Sequence, residues 1–192
     1  MFVNNINNDS FIFKPEKSNI IDMNNYNYMM FDLYNFILKK DSEKIDEDLI
    51  NKDNFYLIIN LKLPGYIVRI FFKKNNIKNN LWNSFINNEN KEKLFYIQTD
   101  YINYNIIPSM FLKPLCISNK ISTSFILKNN YLKIDIDLNS SFIARNLFSL
   151  VYKLSSRIIS DMCFFIKNND NLIPITIIRF NKFIFEGEYL KN

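Results

Sequence analysis

The 192-residue chain has no histidine. That excludes a Ser-His-Asp triad, a Cys-His dyad and any His-ligated zinc. Glycine occurs twice, as Gly65 and Gly187, so neither a phosphate-cradling P-loop nor a dinucleotide fingerprint can be built. The two cysteines, Cys116 and Cys163, are too few for a four-thiolate metal site and read as buried free thiols. Met1 to Asn8 holds neither a basic n-region nor an apolar h-region, so no signal peptide is visible. No apolar run reaches the roughly 18 residues that a transmembrane helix needs. The absences exclude the acyl-transfer and hydride-transfer chemistries that depend on these residues. We expect no enzyme activity, no cofactor, no metal and a cytoplasmic, peripherally attached protein.

What is present is apolar and aromatic. Hydrophobic residues make up 48% and aromatics 16%, enough for a sizeable core. Lys+Arg number 24 against 19 Asp+Glu, a net charge of +5. The charge is uneven. Residues 1–54 carry six Lys and ten acids, a net −4, and residues 55–192 carry 18 basic residues and nine acids, a net +9. The acids Asp41, Glu43, Asp46, Glu47 and Asp48 suit a solvated loop or short helix. Residues 1–27 are Asn-rich and expected to be partly ordered, ahead of a single domain over 28–192.

Phe55 to Leu63 is a strand candidate broken by Pro64-Gly65, with Tyr66 to Lys73 returning as the second arm of a hairpin. Leu81 to Ile86 reads as a short helix, and Leu94 to Ile102 as extended. Thr123–Leu127 and Tyr131–Leu138 flank Lys128-Asn129-Asn130, a second hairpin. In its second strand Leu132, Ile134, Ile136 and Leu138 share one face, and Tyr131, Lys133, Asp135 and Asp137 the other. Asn139, Ser140 or Ser141 can cap the helix that follows. Ile143, Leu147, Leu150, Val151, Leu154 and Ile158 fall on an apolar stripe at helical spacing. Two extended runs, Met162–Lys167 and Ile173–Phe185, close the chain. This order predicts an α+β fold: a curved, mainly antiparallel sheet around one long amphipathic helix at about 141–158, with two further strands after the helix.

The segment Asn129 to Phe180 resembles the C-terminal domain of the plant enhanced-disease-resistance-2 family. Asn130, Tyr131, Leu132, Asp135, Asp137, Ser140, Ser141, Ala144, Arg145, Asp161, Met162 and Pro174 fall in register with its pattern. Upstream, Asn60-Leu61-Lys62-Leu63-Pro64-Gly65 is similar to the family's step before its second strand. The resemblance spans roughly residues 30–185. Asn139 stands where the family has glycine, a residue type that tolerates a left-handed backbone. The resemblance implies a link to lipids and to endomembranes.

Three groups of residues are candidates for a site. Arg145 lies in the first helical turn, where the dipole disfavours a cation, so Asp135, Asp137 or Asp161 are expected as structural ion-pair partners. Alternatively Arg145, with Ser140 and Ser141, holds a lipid phosphate. Ile143, Leu147, Leu150, Val151, Leu154, Phe71, Trp82 and Phe85 are candidates to line an apolar cavity between sheet and helix. Arg145, Lys153 and Arg157 make the helix basic, with no acid before Asp161. The expected function is a non-catalytic lipid-binding or lipid-transfer domain. The alternative is a solid-core membrane- or protein-docking module using a basic surface. The expected partners are a lipid or an anionic membrane surface, or another protein; the dispersed basic residues do not suggest nucleic acid.

Overall fold

The alternation of residues 56–63 sends side chains to two destinations. Leu57, Ile59, Leu61 and Leu63 enter one hydrophobic cluster, whereas Tyr56 and Ile58 enter a smaller one on the opposite face. A computed structural model describes residues 29–40, 49–63, 66–75, 80–101, 113–154 and 157–181. In chain order the elements are β1 (Phe31–Lys40), β2 (Tyr56–Leu63), β3 (Tyr66–Lys74), α1 (Asn80–Ile86), β4 (Phe95–Tyr101), β5 (Leu115–Cys116), β6 (Ser122–Lys128), β7 (Tyr131–Asp137), α2 (Phe142–Leu154), β8 (Ile159–Asn168) and β9 (Asn171–Asn181).

The strands form two sheets, ordered β1-β3-β2-β7-β6 and β5-β4-β8-β9. All pairings are antiparallel except β2 with β7, which run parallel from Tyr56↔Tyr131 to Lys62↔Asp137. A parallel pair needs a long crossover, here everything from β3 to β6. The β8–β9 turn places Asn169 at φ 53, the left-handed conformation that a tight hairpin demands.

The two sheets bury their apolar faces against each other. Leu57, Ile59, Ile70, Phe72, Leu132, Ile134 and Ile136 of the first meet Phe95, Phe164, Ile166 and Ile178 of the second. Phe164 packs on Phe72 and Phe95 at centroid distances of 5.7 and 6.0 Å. α1 inserts Trp82 into the same core, 4.6 Å from the Phe31 ring and 5.4 Å from Phe85. Each such side chain contributes about 1.5–3 kcal/mol on full burial. In β9, Thr176 pairs with Phe164 and Pro174 with Phe165, leaving Ile175 as a bulge. The freed Ile175 carbonyl accepts the Met30 N–H at 3.0 Å, tying the start of β1 to the second sheet.

The fold differs from the α+β expectation. It is mostly β, and the apolar face of the first sheet is covered by a second sheet, not by a long helix. The reason is that β4, β8 and β9 carry an apolar face of their own, so two half-buried sheets complete each other. The helix is short, stops at Leu154 and leaves Phe142 and Ile143 exposed. Asn139 does not use the left-handed backbone it could tolerate, since Asn169 alone among the described non-glycine residues has positive φ. The acidic cluster at 41–48 and the extended run beyond Asn181 lie outside the described residues. Among the described residues no helix is long and apolar enough to cross a membrane.

Candidate functional site

The start of α2 is built by the turn that precedes it. Leu138–Ser140 form one turn of 3-10 helix. Its first amide, Asn139 N–H, donates to Asp137 Oδ1 at 2.9 Å. Ser140 Oγ donates to the Asp137 carbonyl at 2.6 Å and accepts the Ser122 N–H of β6 at 2.8 Å. Ser141 Oγ accepts the Ala144 N–H at 3.4 Å, the side-chain bond of a helix cap. Both hydroxyls therefore shape the turn, and that of Ser140 anchors it to the first sheet.

Beyond this turn the helix sorts its residues sharply. Ala144 is buried and Phe148 packs on the core. Phe142, Arg145, Asn146 and Lys153 are exposed and Ser149 is half-buried. At about 100° per residue these five fall within a sector of about 100°, opposite the packed side. Phe142 sits in the middle of it, 70% exposed, and Ile143 beside it is 56% exposed. An exposed apolar pair followed by Arg145 and Lys153, with no acid between 142 and 157, is suited to an anionic interface.

The cavity candidates do not converge. Trp82 and Phe85 lie in the core between the sheets. Phe71 lies on the far face of the first sheet with Ile37, Tyr56, Ile58 and Tyr131. Ile143 faces outward and Leu150 is half-buried. The side chains of Leu147, Val151 and Leu154 lie outside the described residues.

The three acids are each engaged, and none of their bonds among the described residues is to Arg145. Asp137 caps the turn. Asp161 on β8 holds Arg179 of β9 by two bonds, Nε to Oδ1 at 2.6 Å and an amino nitrogen to Oδ2 at 2.8 Å. That hydrogen bonding holds the Arg179 guanidinium above its ordinary range. Asp135 is the centre of a row that crosses four strands. Arg69 Nε of β3 donates to Asn60 Oδ1 at 2.8 Å, and Asn60 Nδ2 of β2 donates to Asp135 Oδ1 at 2.6 Å. On β7, Lys133 Nζ lies 3.1 Å from Asp135 Oδ2, and Ser124 Oγ of β6 approaches the same oxygen at 3.4 Å.

Sequence reasoning missed Asn60, Arg69 and Lys133 as a set. The signal was present in part: Asn60 and Arg69 interrupt apolar runs, Lys133 alternates with apolar neighbours, and polar groups at buried positions need partners. Of the two free thiols Cys116 is buried and Cys163, expected to be buried, is half-buried. Burial, with Asp161 beside it, pushes Cys163 up to about 12. Cys116 is buried, its sulfur 3.5 Å from the Lys93 carbonyl. Among the described residues no group of three acid, cysteine or histidine side chains could hold a metal ion.

The family model described as Protein ENHANCED DISEASE RESISTANCE 2, C-terminal, matches residues 7–172, which contain the β2–β3 hairpin, the β7–α2 junction and the Asp135 row. No curated protein and no solved structure matches the chain. The family match covers most of the sequence, and the chain belongs to the enhanced-disease-resistance-2 C-terminal family.

Proposed function

We propose that this chain is a non-catalytic, lipid-associated domain that docks on an anionic membrane through the outer face of α2. Phe142 and Ile143 enter the headgroup boundary, while Arg145 and Lys153 meet lipid phosphates. The observation that carries the reading is the strongly exposed Phe142 on the same helix face as Arg145 and Lys153, with the exposed Ile143 beside it at the start of the helix. Family membership supports a lipid role through the endomembrane link that the resemblance implies. The aromatic packing between the sheets favours a surface contact over an enclosed acyl chain. Peripheral attachment then rests on two weak terms, apolar insertion and about 1 kcal/mol per cation near an anionic surface.

The test is co-flotation with phosphatidylcholine vesicles, with and without phosphatidylserine. Binding is expected only to the anionic vesicles and should fall as salt is raised. Phe142→Ser with Ile143→Ser should abolish it, and Arg145→Glu with Lys153→Glu should weaken it by roughly tenfold or more. Equal binding by these folded variants would refute the assignment. A stoichiometric lipid adduct in native mass spectrometry would instead favour an internal ligand.

A further inference from the structure

The described strands leave four sheet edges, and three of them are guarded. β1 is interrupted by a bulge between Leu33 and Asn35 and ends in Lys39-Lys40. β5 is two residues long. β9 carries Pro174, which has no N–H to offer, and the Ile175 bulge. These are the usual devices that keep an exposed edge from pairing with another chain. Of these devices β6 has only a single lysine, Lys128, at its end. Its register against β7 is unbroken from Ser122↔Asp137 to Lys128↔Tyr131, and its sequence, STSFILK, lacks proline, glycine and acids. Ile126 and Leu127, on opposite faces of the strand, are 40% and 43% exposed.

We infer that β6 pairs antiparallel with β6 of a second copy of this chain, joining two five-stranded sheets into one. The choice of occupant follows from the charge along the edge. The Lys128 end is basic, and the Ser122 end lies beside Asp137 of β7, whereas Lys133 and Asp135 between them pair with each other. A two-fold axis at Phe125 sets Ser122 opposite Lys128 and Thr123 opposite Leu127, so each basic end meets the other copy's acidic end. Lys128 of one copy then lies two strand spacings, about 9.5 Å, from Asp137 of the other, within reach of a lysine side chain. The two Lys128 residues stand at opposite ends of the junction and do not repel. A parallel arrangement would set like ends together. The pairing supplies partners for the outward backbone groups of β6 and covers part of Ile126 and Leu127.

The experiment is light scattering of the full chain after size exclusion, over a concentration series and without membranes, so its outcome is separate from that of the flotation test. A dimer is expected. Ile126→Lys with Leu127→Lys changes two exposed side chains and should give a folded monomer. Lys128→Glu should raise the dimer dissociation constant by roughly tenfold. Ser124→Cys should cross-link between copies with a short bis-maleimide, and the Lys double variant should remove that cross-link. A monomer at every concentration, a dimer indifferent to the Lys double variant, or Ser124→Cys failing to cross-link in a dimer would each overturn the inference.

Discussion

Replacing Asn60 by Leu tests whether the polar row on the first sheet stabilises the fold. The two side chains are similar in size, so packing changes little and the perturbation is mainly electrostatic. Asn60 accepts from a guanidinium at 2.8 Å and donates to a carboxylate at 2.6 Å. Hydrogen bonds to charged groups contribute about 1.5–3 kcal/mol each. Their loss costs about 3–6 kcal/mol, because Arg69 is only 2% exposed and water cannot readily replace the partner. Burying a leucine returns at most about 2 kcal/mol. The net expectation is a destabilisation of about 1–4 kcal/mol, read as a lower urea midpoint with an unchanged m-value. Ile59→Val, on the same strand but facing the core, gives the scale at about 0.5–1.5 kcal/mol. A loss at Asn60 no larger than at Ile59 would refute the reasoning and mean that the row is incidental to stability.

Other consequences are as direct. Phe164→Ala removes a fully buried ring between Phe72 and Phe95 and should cost about 3–5 kcal/mol in the same titration. Ser140→Ala leaves the Ser122 N–H without its acceptor and should cost about 1 kcal/mol, with faster hydrogen exchange at that amide. Cys163 has its folded-state value raised from 9.0 to about 12, so the unfolded chain loses this proton first as pH rises. Its contribution is complete below pH 9 and declines between pH 9 and 12; Cys163→Ser should flatten that alkaline fall in stability, and a parallel fall in both proteins would count against it.

Parts of this architecture are plain in the sequence. The β2–β3 hairpin is written in the break at Pro64-Gly65, and the β6–β7 hairpin in Asn129-Asn130 between alternating runs. The helix start is readable from its serines because capping is a local bond. β1 is not readable, because the shift between Leu33 and Asn35 breaks the two-residue period that would announce a strand. The parallel pairing of β2 with β7 has no local signal at all, since nothing near Asn60 names Asp135 as its partner. Missing that pairing hides the two-sheet arrangement and leaves the helix as the apparent cover for the first sheet. For the candidate site, Arg145 and Lys153 are legible as charges on a helix. The exposure of Ile143 was not legible, because it satisfies the helical spacing of the stripe while Ala144 and Phe148 make the contact.

The parallel seam between β2 and β7 also bears on how the chain is made. β2 and β3 are neighbours in sequence and can pair as soon as both are synthesised, whereas the Asn60–Asp135 bond spans 75 residues. During synthesis the first hairpin must therefore wait, its inner edge open, until the second hairpin has left the ribosome. That edge belongs to a strand with six apolar residues among its eight, and an unpaired apolar edge is an aggregation hazard. The period between emergence of Leu63 and emergence of Asp137 is thus when this nascent chain leaves that edge open to association with others.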